Sequence, residues 1–422
     1  MKIIKPINPW SFVPTAYFME GLPYILVVMV SSVMYKNFGL TNAKITYYTG
    51  WLMLPWTVKP LWSWFIDLYK VKRWWIYTME LCFGCFIISL ALSFYLPNYI
   101  FISILIFALA NICAASHDIA TDGFYLITLT SNQQSFFVGI QSAFYQVARI
   151  FGGGVLVILS GLFFSYTKDI KFAWGLVFVI AGLCAIIIGF YHKMILPRYE
   201  VSKTLTIKDG IFEIKAIFTS LFQLKQLWVI VSFALTFKLG ETMLIKIVPL
   251  FILDSRSHGG LGFDNIYVGL SNTFNLSAII LAGIIGGLSI SYFGLKKCLW
   301  PMLLLVNLPH VIFVYLAYAL PVDKYLVLAL QICENFAANI SLTGYMMVVF
   351  YLIRDSKYKT SHYAFITAVM MLANMIPSMF SGIIQQLLGY QYYFIFIMFL
   401  IIPSLLILPL IKIDSNFGIK VV

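Results

Sequence analysis

FAWGLVFVIAGLCAIIIGFY, residues 172–191, is a run of twenty residues without one charged side chain. A helix of about 20 mostly apolar residues is long enough to cross the hydrocarbon core of a bilayer. Similar runs recur along nearly all of the 422 residues, of which 61% are hydrophobic and 10% charged, and the mean hydropathy is +0.92. Because no water-soluble fold buries so large an apolar fraction, the sequence predicts an all-α membrane protein.

The spacing of the apolar runs predicts twelve transmembrane helices. They lie at residues 12–35, 45–66, 74–95, 99–125, 136–165, 172–191, 227–253, 266–292, 298–320, 325–353, 362–388 and 391–411. With a cytoplasmic N-terminus, the inner segments carry 18 Lys or Arg and the outer loops carry 6. Cytoplasmic loops retain such an excess, so both termini are predicted to be cytoplasmic. The same rule explains the net charge of +12, and no nucleic-acid partner is expected.

The longest polar break, residues 192–226, divides the chain into an N-terminal half (1–191), a basic linker and a C-terminal half (227–422). The two halves resemble each other in their acidic residues. Glu20 and Glu241 occupy the first helix of each half, and Asp118 and Glu334 occupy the fourth, at nearly the same offset. This repetition predicts two pseudo-symmetric six-helix halves, which is the architecture of the major facilitator superfamily.

At least nine charged side chains fall inside the predicted spans. They include Glu20, Lys59, Asp118, Asp122, Arg149, Lys238, Glu241, Lys246 and Glu334. Each costs about 2.5–3.5 kcal/mol at the centre of a bilayer, so these groups must pair or face a water-filled cavity. The pattern favours a transporter of a polar or anionic small molecule. An enzyme, a cofactor and a metal are not predicted, because the sequence has no metal motif or nucleophile–base pair of the required kind.

Lys238 and Glu241 are three residues apart and share one face of the predicted seventh helix. One interpretation is an ion pair that only fixes the helix. The other is a pair lining the cavity, in which Glu241 binds a coupling proton and Lys238 binds a substrate anion.

Glu20 lies in the stretch YFMEGLPY, where Pro23 leaves one carbonyl without its usual intrahelical donor. Broken first and seventh helices commonly form substrate sites in transporters. Glu20 is therefore either a site residue or the partner of a buried cation such as Arg149, which is itself predicted to face the cavity. Glu334 and Asn335 open a polar stretch that either lines a water path or forms interhelical hydrogen bonds.

CAASHDIATDG, residues 113–123, has the composition of a metal site. Asp118 and Asp122 share a helix face, but His117 is turned about 100° from Asp118, so the three cannot address one ion from a regular helix. We expect Asp118 to face the water path and Asp122 to approach Lys70 or Arg73 at a cytoplasmic gate. His117 either titrates near neutral pH or packs between helices.

An ordered set of motifs extends over both halves: EGLP at 20–23, KPLWSWFID at 59–67, ASHDIATDG at 115–123, FKLGE at 237–241 and ENFAANISLTG at 334–344. In this set the chain resembles the AmpG-like permeases of the major facilitator superfamily. The resemblance implies a monomeric, proton-driven importer in the bacterial inner membrane, whose partners are a small-molecule substrate, protons and the lipid bilayer. It implies cell-wall anhydromuropeptides as the substrate, with ferric carboxylate siderophores as the alternative; peptides or other metabolites are further alternatives.

The resemblance also assigns the loop between the second and third helices to the inner gate. In the superfamily an acid at the helix end pairs across the halves, and the bases that follow face the cytoplasm. Here these positions are Asp67, Lys70 and Arg73, although Ser63 stands where the superfamily usually has glycine.

Overall fold

The computed structural model describes residues 8–197, 219–356 and 359–419, and within them every regular element is helical. Most of the predicted linker 192–226 lies outside the described residues. The first ten helices are α1 Val13–Ile25, α2 Ser31–Asn37, α3 Asn42–Trp51, α4 Leu54–Val58, α5 Pro60–Leu68, α6 Lys72–Ser93, α7 Tyr99–Thr128, α8 Ser131–Ile150, α9 Val157–Thr167 and α10 Ile170–Ile195. The others are α11 Leu227–Thr236, α12 Leu239–Leu253, α13 Asn265–Phe293, α14 Leu295–Asn307, α15 Val311–Ala319, α16 Lys324–Ile353, α17 Lys359–Phe399 and α18 Ile401–Ile407.

Ten helical stretches in the described part of the chain are long and apolar enough to cross a membrane. They are Pro9–Asn37, Lys72–Ser93, Tyr99–Thr128, Gly139–Thr167, Ile170–Ile195, Leu227–Leu253, Asn265–Phe293, Leu295–Ala319, Lys324–Ile353 and Phe365–Leu410. The predicted all-α membrane class is confirmed, and the count of twelve stays a prediction.

Two regions account for the difference between ten and twelve. The predicted second span, 45–66, consists of three short helices, because Pro55 and Pro60 stand in the first turns of α4 and α5. Proline lacks the N–H that would continue the preceding helix. The two last predicted spans form one stretch of 46 residues, interrupted at Gly389, whose φ of 70° is outside the helical range.

The chain forms two compact units, and each of them includes one short segment that belongs to the other predicted half. Unit 1 contains residues 1–40, 48–204 and 264–273, and unit 2 contains 41–47, 205–263 and 274–422. The division at 191 and 227 remains a prediction.

Unit 1 depends on close approach between helices at small residues. A Cβ added to Gly84 of α6 would lie 2.7 Å from the carbonyl oxygen of Gly182 in α10, and one added to Gly21 of α1 would lie 2.5 Å from the carbonyl oxygen of Tyr145 in α8. Glycine permits this backbone contact, which strengthens packing between membrane helices. The segment 264–273 is bound to the same unit through Asn265, whose side-chain amide donates to Asn37 Oδ1 at 2.6 Å.

In unit 2 the segment 41–47 is held mainly by hydrogen bonds. The side-chain amide of Asn42 donates to Gln385 Oε1 at 2.7 Å and to the Tyr390 hydroxyl at 2.8 Å. The backbone N–H of Gly382 donates to Thr46 Oγ1 at 3.1 Å. Buried donors and acceptors in a membrane protein need such partners, so these bonds fix the segment in place.

Candidate substrate and proton-coupling site

The first and seventh predicted helices are both interrupted, as the sequence suggested. Pro23 lies inside α1 and is followed by a π-helical turn at Leu26–Val30 before α2 begins. In the other unit α11 ends at Thr236, and α12 begins at Leu239 directly after Lys238. These interruptions lie beside the acids of interest, because Glu20 precedes Pro23 by three residues and Glu241 is in the first turn of α12.

Glu20, Lys59, Asp118 and Asp122 form what we name the charge cluster of unit 1. The Lys59 ammonium lies 3.9 Å from Asp118 Oδ2, and the Tyr17 hydroxyl donates to Asp122 Oδ1 at 3.1 Å. Glu20 Oε1 is buried without a hydrogen-bond partner in the described chain, and the charges that act on this carboxyl are those of Asp122, Asp118 and Lys59. Three carboxyl groups thus share one lysine.

Three rings next to this cluster form the aromatic patch, which consists of Tyr24, Trp56 and Tyr145. The Tyr24 ring lies 6.2 Å from each of the other two, measured between centroids. Trp56 Nε1 donates to Asp118 Oδ2 at 2.9 Å, so it connects the patch to the charge cluster. The guanidinium of Arg149 lies 6.0 Å from the Tyr24 ring and donates to Gln146 Oε1.

The residues predicted for a cytoplasmic gate have several different partners. Asp122 is exposed and accepts from Tyr17, whereas Arg73 donates to the backbone carbonyl of Lys193. Lys70 is exposed, with its ammonium 5.5 Å from the Tyr69 ring. Asp67 belongs to α5, but its side chain is outside the described residues. The gate therefore stays a prediction.

Glu80, His117 and His192 form a buried group in unit 1, which we name the Glu80 cluster. Glu80 Oε1 lies 3.0 Å from His117 Nε2 and 2.7 Å from His192 Nδ1. His192 Nε2 is 2.8 Å from the Thr15 hydroxyl. The three residues are 0–2% exposed. Their carboxyl group therefore lies between two imidazoles.

Glu241, His310 and Glu334 form a second buried group, in unit 2, which we name the His310 cluster. One ligand-type atom of each residue lies within 4.8 Å of the others, and His310 Nδ1 is 2.9 Å from Glu334 Oε1. The charge of Lys238 acts on both Glu241 and Glu334. Asn335 is half-buried, and its amide donates to the Gln331 carbonyl of its own helix at 3.2 Å.

Several of these residues were not among the sequence-based candidates: Tyr17, Trp56, Glu80, His192 and His310. Glu80 could have been found, because it is an acid in the middle of the predicted span 74–95. His192 falls in the predicted linker 192–226, but it lies in the last turn of α10. His310 is a lone histidine in an apolar run, and no sequence pattern links it to Glu241 or Glu334.

Comparison with known proteins identifies the family of this chain. The family model described as BT1 matches residues 20–258, more than half of the chain, and includes Glu20, Asp118, Arg149, Lys238 and Glu241. The chain belongs to the BT1 family. This BT1 protein is 25% identical over 405 residues to a Rickettsia felis protein that carries the name transporter AmpG 4, with 92% of this chain and 93% of the relative covered. It is 23% identical over 414 residues to the protein of the same name from Rickettsia conorii, with 94% and 95% covered.

Solved structures of known transporters have the same fold as this chain. A bacterial homologue of the human lysosomal transporter Spinster, in an inward-facing and unoccupied conformation, matches with a TM-score of 0.70 at 14% identity over 94% of both chains. The D-xylose–proton symporter matches with a TM-score of 0.69 at 12% identity over 98% of both chains. The BT1 protein therefore has the fold of the major facilitator transporters.

The family and the fold confirm three predictions made from the sequence. They are the AmpG-like resemblance, the assignment as a multi-pass membrane transporter, and the statement that the protein is not an enzyme.

Proposed function

We propose that this BT1 protein is a proton-coupled importer of a sugar-containing anionic solute, and that the solute is a cell-wall anhydromuropeptide. The observation that carries the proposal is the position of Trp56. Its ring belongs to the aromatic patch, and its indole N–H donates to Asp118. Aromatic rings offer apolar faces to sugar rings, while Arg149 beside them suits the carboxylates of an attached peptide. The AmpG names of the Rickettsia relatives support the same substrate.

Proton coupling is supported by the excess of carboxyl groups over lysines in the charge cluster of unit 1 and in the His310 cluster. The charge cluster of unit 1 has three carboxyl groups for Lys59, and the His310 cluster has two carboxyl groups beside Lys238. An ionised carboxylate is costly inside a membrane protein unless a cation or a proton neutralises it. We assign proton binding to Glu241, with Glu20, Asp118 and Glu334 as further carriers and Asn335 beside Glu334 on α16.

The substrate is tested by uptake in a deletion strain with and without this gene. We expect labelled anhydromuropeptide to accumulate only in the complemented strain. Trp56→Ala should lower that uptake about tenfold, whereas Trp300→Ala, whose ring is 45% exposed, should leave it unchanged.

A labelled ferric carboxylate siderophore, the alternative substrate, is supplied to the same strains. Uptake of the siderophore without the muropeptide would replace our assignment by the alternative. Uptake of neither solute would contradict both assignments and leave the fold unaffected.

We further propose twelve spans in the bacterial inner membrane, with both termini in the cytoplasm. The distribution of Lys and Arg supports this topology, and the break at Gly389 supports two crossings in the last helical stretch. An alkaline phosphatase fusion after Tyr390 should be active, and a fluorescent protein at the C-terminus should fluoresce. An inactive fusion after Tyr390 would contradict the outer position of this break.

A further inference from the structure

The His310 cluster brings together three ligand-type side chains from three separate parts of unit 2. Glu241 comes from α12, His310 from the turn between α14 and α15, and Glu334 from α16. Their exposed fractions are 6%, 1% and 2%, and their ligand atoms lie within 4.8 Å of one another. Neighbouring ligand atoms of a tetrahedral ion with bonds of about 2.0–2.1 Å lie about 3.3 Å apart, so small side-chain rotations would close the site.

One atom of this cluster is buried without a partner. His310 Nε2 has no hydrogen bond in the described residues, although the ring is 1% exposed. A Cβ added to Gly240 would lie 3.3 Å from this nitrogen, so it faces the helix turn that carries Glu241. With Nε2 unpaired, the hydrogen-bond partner of the ring in the described residues is Glu334, at Nδ1.

The ring nitrogen that faces Glu334 is Nδ1, which lies 2.9 Å from Glu334 Oε1. In the neutral imidazole with its proton on Nε2, Nδ1 keeps its lone pair and can bind a cation. The distance between the two atoms is close to that between two ligands of one tetrahedral ion. His310 and Glu334 are thus placed to coordinate the same cation through Nδ1 and Oε1.

The charges around the cluster favour the binding of one more cation. Lys238 is the positive group that acts on both Glu241 and Glu334. When both carboxyl groups are ionised, the charge of Lys238 balances only one of the two negative charges. A nitrogen ligand disfavours Ca²⁺ and Mg²⁺, which prefer oxygen, whereas imidazole with carboxylates suits Zn²⁺ and neighbouring first-row ions.

We propose that Glu241, His310 and Glu334 form a binding site for a divalent first-row metal ion of the zinc class. This goes beyond the proposed transport function, since the AmpG resemblance implies no metal and the sequence contains no metal-binding motif. Because Glu241 would also serve proton coupling, bound metal and coupling proton compete for the same carboxylate, and Zn²⁺ is expected to slow proton-driven uptake.

The test is titration of the purified, detergent-solubilised full chain with Co²⁺, which replaces Zn²⁺ in such sites and absorbs visible light when tetrahedrally bound. We expect one equivalent of Co²⁺ to give a visible absorption band that Zn²⁺ removes. His310→Gln and Glu241→Gln should each weaken binding at least tenfold.

Two histidine variants serve as matched controls. His117→Gln changes a buried histidine that also contacts a glutamate, and His258→Ala removes an exposed one. Both should bind Co²⁺ like the wild type. Wild-type absorption equal to that of His310→Gln would overturn the site, as would loss of the band in His117→Gln. Circular dichroism and gel filtration of each variant separate loss of the site from loss of the fold, and no transport assay enters the result.

Discussion

The Glu80 cluster of unit 1 and the His310 cluster of unit 2 contain the same two residue types in opposite proportions. In unit 1 one carboxyl group lies between two imidazoles, and in unit 2 one imidazole lies beside two carboxyl groups. All six side chains are less than one-tenth exposed. Burial is therefore shared, and the difference lies in the ratio of carboxyl groups to imidazoles.

Each cluster leaves one ring nitrogen without a hydrogen-bond partner in the described residues, His117 Nδ1 in unit 1 and His310 Nε2 in unit 2. In the Glu80 cluster one carboxyl group contacts two imidazoles, and the second nitrogen of His192 reaches the Thr15 hydroxyl. In the His310 cluster two carboxyl groups lie beside one imidazole. A buried carboxylate is costly unless a cation, a proton or hydrogen bonds offset its charge, so the additional carboxyl group is available to a proton or a ligand. Similar composition thus supports structure in one unit and chemistry in the other.

The largest effect should come from removing the carboxyl group that the two histidines share. Glu80→Ala leaves His117 and His192 buried without their acceptor, so we expect the free energy of unfolding to fall by about 3–5 kcal/mol. Equilibrium unfolding in mixed micelles measures this change. Asp355→Ala is the control, because that side chain is 87% exposed in its ion pair with Arg354, and it should change stability by less than about 1 kcal/mol. Equal stability of Glu80→Ala and wild type would remove the structural role of the cluster.

A smaller effect should distinguish the histidines of the two clusters. His192 takes part in hydrogen bonds at both ring nitrogens, and His310 at one. His192→Gln should therefore cost about 2 kcal/mol of stability, and His310→Gln about 1 kcal/mol, by the same unfolding measurement. The reverse order would mean that the His310 cluster is the more rigid of the two.

The transmembrane class and the cluster of acids on α7 were accessible from the sequence, because both follow from local patterns. Apolar runs of about 20 residues predict membrane helices, and a spacing of four places Asp118 and Asp122 on one face. The break after Pro23 was also predictable, since proline removes a backbone donor. These features depend only on neighbours along the chain.

The Glu80 and His310 clusters could not be derived in this way. Glu80, His117 and His192 lie on α6, α7 and α10, so their contacts depend on how three helices pack. No helical periodicity relates such positions. The hydrogen bond from the Tyr17 hydroxyl on α1 to Asp122 could likewise not be derived, because the two residues are 105 positions apart in the sequence.

A still smaller effect is expected at the edge of the Glu80 cluster. Thr15→Val removes the hydroxyl that contacts His192 Nε2 while preserving the branched shape, so stability should fall by about 1 kcal/mol. Thr167→Val, at an exposed helix end, should change it by less than about 0.5 kcal/mol. If the two variants unfold alike, His192 does not depend on this hydrogen bond.

The smallest effect should sharpen the electrostatic description of the His310 cluster. Lys238→Met removes a positive charge that acts on Glu241 and Glu334, so Co²⁺ should bind about threefold more tightly. Lys412→Met, at an exposed position, should leave the affinity unchanged. Weaker binding in Lys238→Met would show that Lys238 holds the ligands in place and does not compete with the ion.

The most direct test of proton coupling compares Glu241→Gln with Glu80→Gln in proteoliposomes that carry a pH gradient. Labelled anhydromuropeptide uptake driven by the gradient and counterflow exchange without a gradient are measured in the same preparations. We predict that Glu241→Gln loses gradient-driven uptake and keeps counterflow, while Glu80→Gln keeps both. Gradient-driven uptake by Glu241→Gln at the wild-type rate would contradict the assignment of the coupling proton to the His310 cluster.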